Sequence, residues 1–332
     1  MQRQSRTFLA AAVLQTAFAL AAAEPAASAT ERDALAEVNA ALQAGEADKA
    51  LTLLASLPDG GAEMAAAENL HCRIEYTLGH WDAAIQHCEQ SVRLDPQEST
   101  SHLWLGRALG EKASRASFLS AYSLGKRVLA EFQAAVKLNP RNGGALGDLA
   151  EFDVEAPSVI GGGLDKAQSV AEQLDRVDPG RAAEIRARIQ EHHKDFGGAE
   201  QALKLGFQAS PHPAYQWATL ARFYQQRSRW QDMDAAIASC EAAVDRDPHA
   251  GVALYDAAGA LIASEREPAL AARLLEKYLN GPGRSEEAPA FVAYVRLARL
   301  KDKLGDAAGA KQAQAQALAL AHTYTPEQDS RR

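Results

Sequence analysis

The chain has 332 residues and a net charge of −8, and alanine supplies much of its 47% apolar content while aromatic residues make up 6%. The acidic balance argues against nonspecific binding to nucleic acid, which requires a basic surface. The composition favours closely packed helices over sheets, because alanine combines high helix propensity with little bulk.

The N-terminus has the three parts of a secretory signal peptide. Two arginines precede an apolar segment over residues 7–23, and Ala27-Ser28-Ala29 fits a cleavage site, with residues 21–23 as a second option. A retained membrane anchor is the alternative, but an apolar segment of 17 residues that contains a glutamine is short for a span. We therefore predict a signal peptide over residues 1–29, export to the periplasm or beyond, and no stable membrane span after cleavage.

Prolines recur along the rest of the chain at intervals of 32 to 44 residues. Most follow an amphipathic stretch that ends in an acidic or polar residue, as in RLDP and KLNP. A proline at such a place ends one helix and starts the next. The pattern predicts a helical-repeat domain over residues 30–321 whose hairpins are separated by Pro58, Pro96, Pro140, Pro179, Pro211, Pro248 and Pro282.

Two segments fit a 34-residue helix–turn–helix template without gaps. One runs from Leu78-Gly79 through Trp81 to Pro96, and the other runs from Leu297-Ala298 to Ala317. Both resemble the tetratricopeptide repeat family, and partial matches in phase extend the resemblance over nearly the whole chain after the signal peptide. The resemblance implies an all-α, right-handed solenoid of about eight hairpins.

The glycines at 161–163 raise the question of a phosphate-binding loop. Such a loop needs a strand, the pattern GxxxxGK[ST] and a helix, but helix-like sequence precedes these glycines and no Lys-Ser pair follows them. We predict an enlarged turn in the fourth hairpin, with phosphate binding at a helix start as the alternative. The insertions at 111–126 and 157–163 enlarge the third and fourth hairpins, either as recognition features or as inherited loop length. They resemble those of exported bacterial tetratricopeptide repeat proteins of uncharacterised function.

The repeat frame places two cysteines at facing positions of the second hairpin. Cys72 lies on the first helix and Cys88 on the second, and closely packed antiparallel helices bring α-carbons within the roughly 4.4–6.8 Å that a disulfide needs. An oxidising compartment permits the bridge. We predict a Cys72–Cys88 disulfide, with two buried thiols as the alternative. Cys240 has no evident partner and is predicted to lie in the core.

The sequence contains no recognised catalytic or metal-binding motif. His71-Cys72 and His87-Cys88 suggest zinc, but neighbours on a helix point about 100° apart, so the four side chains do not readily converge. We predict no metal, no cofactor and no enzymatic activity. The alternative is a ligand-binding or enzymatic site in the enlarged hairpins, around Phe118, Tyr122 and Ile160.

First helices line the concave groove in tetratricopeptide arrays, and the resemblance implies such a groove here. Four of the seven first-helix residues that follow the small contact residue are arginines, whose forks hold carboxylates at two points. We predict a scaffold or adaptor that binds a protein or peptide with acidic groups. The alternative for the arginines is pairing with local glutamates on a solvated face. The predicted groove residues are Asn69, Arg73, Tyr76, Arg107, Glu151, Arg222, Gln225 and Arg299.

Self-association is the second binding hypothesis, because an uncovered end of a repeat array can pair with another copy. The last residues, 322–332, are polar and predicted to form a disordered tail.

Overall fold

The computed structural model describes residues 29–58 and 63–325. These residues form sixteen α-helices and two 3₁₀ turns, with no strand in either range. The predicted all-α fold is therefore confirmed. Apart from Ala29, the predicted signal peptide lies outside the described residues, and so does the C-terminus after Thr325. None of the described helices is long and apolar enough to cross a bilayer.

The helices pair in chain order into eight hairpins. Their bounds are α1 Ala29–Ala44 and α2 Ala47–Ala55, α3 Met64–Leu78 and α4 Trp81–Leu94, α5 Ser99–Ser114 and α6 Phe118–Leu138, α7 Gly143–Glu155 and α8 Leu164–Leu174, α9 Pro179–His192 and α10 Phe196–Ala209, α11 Pro213–Gln226 and α12 Trp230–Val244, α13 Val252–Ala263 and α14 Pro268–Asn280, and α15 Ala290–Lys303 and α16 Ala307–Leu320. Every proline named above lies at the connection between two hairpins or begins the next one.

Small residues set the spacing between the two helices of a hairpin. A Cβ atom on Gly106 of α5 would lie 2.5 Å from the Phe132 ring of α6, so only glycine admits that ring. In other hairpins the same role falls to alanines that are fully buried, among them Ala84 and Ala221. These small residues let the two helices of each hairpin approach closely. Stacking of neighbouring hairpins then completes the core.

The three glycines form part of the connection between α7 and α8, together with a 3₁₀ turn over Ser158–Ile160. Gly161 has a φ of +111°, a conformation that glycine adopts without strain. The backbone N–H of Gly163 donates to the carbonyl of Asp153 at 2.8 Å, and that of Gly162 donates to the carbonyl of Pro157 at 3.3 Å. These donors are occupied within the turn, which argues against a phosphate cradle.

The first and last hairpins contact each other. Gly45, between α1 and α2, approaches the start of α15 so closely that a Cβ atom would lie 2.4 Å from the backbone nitrogen of Ala290. The backbone N–H of His322 donates to Asp48 of α2 at 3.0 Å. The Tyr324 ring packs on Phe291 with centroids 4.9 Å apart. The two ends of the repeat array therefore partly cover each other.

Candidate binding site on the inner face

The first helices of successive hairpins adjoin one another and form one face of the array, here called the inner face. Two adjoining cavities open on it. The larger, of about 900 Å³, is lined by α9, α11 and α13, and the smaller, of about 370 Å³, by α7, α9 and α11. Both are lined by Glu184, Thr219, Arg222 and Gln226. A concave surface thus extends across four consecutive first helices.

Arg73 is held by the chain itself and not exposed to an open groove. Its Nε donates to Glu286 Oε2 at 3.0 Å, and its Nη2 donates to Glu286 Oε1 at 2.5 Å and to Asn39 Oδ1 at 2.9 Å. The side chains of Arg73 and Glu286 are 14% and 8% exposed. Gln43 adds a bond from its Nε2 to Glu286 Oε1 at 2.8 Å. The two-point carboxylate contact predicted for a partner is therefore made by the chain's own Glu286.

Glu286 belongs to the connection between α14 and α15, residues 281–289, here called the acidic connection. The Tyr278 hydroxyl holds this segment by donating to the carbonyl of Ala288 at 2.5 Å. Arg284 donates to the carbonyl of Ala44 at 3.4 Å. The next residue, Glu287, is exposed and lines the larger cavity. The acidic connection thus fastens the seventh and eighth hairpins to the first and second.

Arg107 is also paired. Its Nε donates to Asp148 Oδ2 of α7 at 2.5 Å, and its guanidinium lies over the Trp104 ring, 4.5 Å from the centroid. Burial alone would lower the pKa of Arg107, but the Asp148 carboxylate raises it above the ordinary value. Tyr76 contacts the same Trp104 edge-on at 5.3 Å, and Arg73 lies 5.5 Å from that ring. The predicted residues Arg73, Tyr76 and Arg107 therefore meet around Trp104, a residue that was not among the predicted groove residues.

Glu151 links two first helices. Its carboxylate lies 2.6 Å from Arg181 Nη2 and 3.5 Å from Arg188 Nη2, both on α9. Burial opposes the charge on Arg181, but Glu151 and Glu184 outweigh it and raise the pKa of Arg181.

Asn69 is buried, so it is not part of an accessible groove. Arg299, on α15, is exposed and lines neither cavity.

Arg222 and Gln225 do line the larger cavity, with Tyr215 and Tyr255. Within the described part of the chain, Arg222 makes no hydrogen bond or salt bridge. Asp256 lies in the same cavity, where desolvation raises its pKa above the ordinary value although the nearby positive charge of Arg222 lowers it. This part of the inner face therefore offers a cation, a carboxylate and the Tyr215 phenol, whereas Tyr255 is buried with the Arg296 guanidinium over its ring.

The single groove predicted from the sequence therefore corresponds to two different regions of the inner face. We call the cluster of Arg73, Tyr76, Trp104 and Arg107 with its acidic partners the closed region. We call the cavity around Arg222, Gln225, Tyr255 and Asp256 the open region. A sequence signal for Glu286 existed, since two adjacent glutamates stand in a segment rich in glycine and proline, but nothing in the sequence tied it to Arg73.

The predicted site at the enlarged hairpins has a different character. Phe118 and Tyr122 are 85% and 42% exposed and lie at the start of α6, a helix of 21 residues. Ile160 packs near Gly125 instead. None of the three lines either of the two inner-face cavities.

The structure joins Cys72 of α3 to Cys88 of α4 by a disulfide with the α-carbons 5.2 Å apart. Cys240 is a buried thiol, and burial raises its pKa to about 12, so it is not a reactive thiolate. His71 and His87 each directly precede one of the two bridged cysteines. Their rings stack with centroids 3.6 Å apart, a contact that the sequence did not predict.

Stacked helical hairpins with a concave face define the chain as a helical-repeat protein. Residues 292–323, which span most of α15 and α16, match the family model described as tetratricopeptide repeat. The predicted resemblance to that family is therefore confirmed. No curated protein sequence matches the chain significantly.

Several solved structures are similar. A thermophilic tetratricopeptide repeat protein of Thermus thermophilus is 23% identical over 60% of this chain and 99% of that one, with a TM-score of 0.44. The C-terminal part of a repeat-containing protein of Cytophaga hutchinsonii is 13% identical over 76% of this chain and 97% of its own, with a TM-score of 0.41. The Cut9–Hcn1 hetero-tetramer gives 12% identity over 87% of this chain and 52% of its counterpart, with a TM-score of 0.40.

Proposed function

We propose that this protein is an exported, non-enzymatic scaffold that binds a protein or peptide partner in the open region of its inner face. A tetratricopeptide repeat fold indicates a protein-interaction scaffold, and the cavity of about 900 Å³ around Arg222 carries the more specific proposal. A peptide side chain or backbone turn fits a cavity of that size. Arginine and tyrosine are also the residue types that concentrate binding energy in protein interfaces.

The proposed partner presents acidic groups. Arg222 can hold a carboxylate at two points, and the same chemistry already operates inside this chain between Arg73 and Glu286. Tyr215 would supply apolar area with a polar tip beside it. Of the four carboxylates in the cavity, Asp178 and Glu184 are already bonded to Arg181. A basic partner would find Asp256 and Glu287 but would leave Arg222 opposed by a like charge.

Photo-crosslinking in cells tests this proposal. A photoreactive residue at Gln226, which lines both cavities, should capture a partner, while one at the exposed Arg246 outside the cavities should not. Arg222→Glu should abolish the capture, and the matched charge reversal Arg246→Glu should leave it intact. Equal capture from both positions, or capture that survives Arg222→Glu, would overturn the proposal.

Self-association is disfavoured by the contact between the first and last hairpins, which partly covers the ends of the array. Sedimentation equilibrium distinguishes the two hypotheses, because a mass that rises with concentration favours self-association.

Export is tested separately by N-terminal sequencing of the protein from a cell-envelope fraction. We expect the sequence to start at Thr30, directly after the predicted cleavage site.

A further inference from the structure

The second hairpin carries a cluster of imidazoles and carboxylates away from the inner-face cavities. His71 on α3 and His87 on α4 each directly precede a cysteine of the disulfide. Because that bridge holds the two α-carbons 5.2 Å apart, it fixes the helices opposite each other at this point. The two rings consequently stack, with an angle of 16° between their planes.

Carboxylates flank the stacked rings. Glu68 lies one turn before His71 on α3, and its Oε2 is 2.7 Å from His87 Nδ1. Glu75 lies one turn after His71, with its Oε1 3.6 Å from His71 Nε2. One ligand atom each from Glu68, His71 and His87 lies within 4.8 Å of the other two, and all three side chains are partly buried.

We propose that Glu68, His71 and His87 form a binding site for a divalent transition-metal ion of the zinc type. Two imidazole nitrogens and a carboxylate oxygen are the donors that such ions prefer. Metal–ligand distances of about 2.0–2.2 Å place tetrahedral ligand atoms about 3.3 Å apart. Side-chain rotations would have to open the 2.7 Å between Glu68 Oε2 and His87 Nδ1 and bring the His71 nitrogen into the same range, and each of these side chains retains exposure that leaves room for the movement.

Charge also favours a cation at this position. Two stacked imidazolium rings would repel each other, whereas a metal ion binds both in their neutral form and compensates the adjacent carboxylates. Glu75, which contacts His80 Nδ1 at 2.7 Å, also lies 3.6 Å from His71 Nε2 and would act as an outer carboxylate for His71 when that ring binds the ion through Nδ1. The disulfide contributes by holding the helix positions of His71 and His87 opposite each other before the ion arrives, which lowers the entropic cost of binding. The stacked rings must still rotate out of their parallel arrangement, because an ion binds an imidazole nitrogen in the plane of its ring.

Three protein ligands leave a fourth coordination position for water or an external group. Glu68 and His71 also line a cleft of about 280 Å³ whose other walls include Leu35, Leu51 and Leu54 from the first hairpin. A ligand that enters this cleft would therefore lie beside two of the three proposed donors.

Isothermal titration with ZnCl₂ tests the site in the untagged, chelator-treated chain without residues 1–29 and with its disulfide intact. We expect one ion per chain and a rise in melting temperature on binding. Titration with CoCl₂ should give the intense visible absorption of a tetrahedral complex. His71→Gln and His87→Gln should each weaken binding by more than the roughly 10–100-fold that loss of an outer-shell partner costs.

The matched control is His212→Gln. His212 is likewise paired with a carboxylate, Asp247, at 2.7 Å, but it belongs to no such cluster. This variant should bind zinc as the original chain does. If His87→Gln does not fold, Glu68→Gln tests the same prediction from the other helix. Absence of zinc binding at about 100 µM would show that these contacts are hydrogen bonds alone. Equal binding by all variants would show that zinc binds elsewhere on the chain. Either result would overturn the proposal.

Discussion

The closed and open regions of the inner face use the same residue type to opposite effect. In the closed region, Arg73 and Arg107 are paired with Glu286 and Asp148 and stabilise the fold. In the open region, Arg222 follows the buried Ala221 just as Arg107 follows Gly106, yet it faces a cavity. An arginine at the repeat's groove position is therefore available to a partner only where the rest of the chain leaves it unpaired.

The largest expected effect is a loss of unfolding free energy when the closed region is disrupted. Glu286→Ala leaves Arg73 partly buried without its carboxylate, and loss of one member of a buried ion pair costs about 3–5 kcal/mol. It also removes the link from the acidic connection to Gln43. Urea unfolding measures this loss, and Glu287→Ala, which alters the exposed neighbour, should cost less than about 1 kcal/mol. Equal costs for both variants would show that the closed region does not hold the ends of the array together.

Removal of the disulfide, in the same part of the molecule, is expected to cause the next largest loss of stability. The double variant Cys72→Ser, Cys88→Ser should lose about 3 kcal/mol of unfolding free energy, because the bridge closes a short loop in the unfolded chain. A reductant should lower the stability of the original chain to that of the variant and should leave the variant unchanged. A variant as stable as the original under oxidising conditions would contradict this account.

Asp153, on α7 of the fourth hairpin, should act in the opposite direction, because its replacement should increase stability. It is buried, its Oδ1 has no partner in the described residues, and burial raises its pKa to about 6 from 3.8 although the charge of Lys166 opposes the change. The folded state therefore binds a proton more tightly than the unfolded state. Its contribution to stability falls as the pH rises from about 4 to 6.

Asp153→Asn removes this penalty. We expect the free energy of unfolding to increase by about 1–3 kcal/mol at pH 7.5 and to change little at pH 4. Urea titrations at both pH values measure the difference, with Asp302→Asn as the exposed control. A gain of the same size at both pH values would show that the substitution acts by packing and not through the charge.

The smallest effect on stability is expected in the open region. Arg222→Glu should change the free energy of unfolding by no more than about 1 kcal/mol, because no described hydrogen bond or salt bridge depends on Arg222 and its charge acts on Asp256 only across an open cavity. Arg107→Glu, at the corresponding position of the third hairpin, should cost several times more, since it places two carboxylates together. Thermal unfolding of the two variants side by side checks the contrast. Similar losses would remove the distinction between the two regions.

Local patterns sufficed to predict the repeat architecture. Prolines at hairpin connections, small residues such as Gly106 and Ala84 at helix contacts, and the facing positions of Cys72 and Cys88 all depend on neighbours within one hairpin. Helical periodicity places such residues on known faces, so the sequence alone determined them.

The closed region was decided by tertiary structure. Arg73 and Glu286 are 213 residues apart, and no local pattern ties one to the other. Their pairing depends on how each hairpin is rotated against the next, because small rotations summed over eight repeats bring the ends of the array together. The stacking of His71 on His87 depends likewise on the disulfide that joins their helices. The sequence by itself determined the hairpins and their faces, whereas the path of the whole array determined which charged residues are satisfied within the chain and which remain available to a partner.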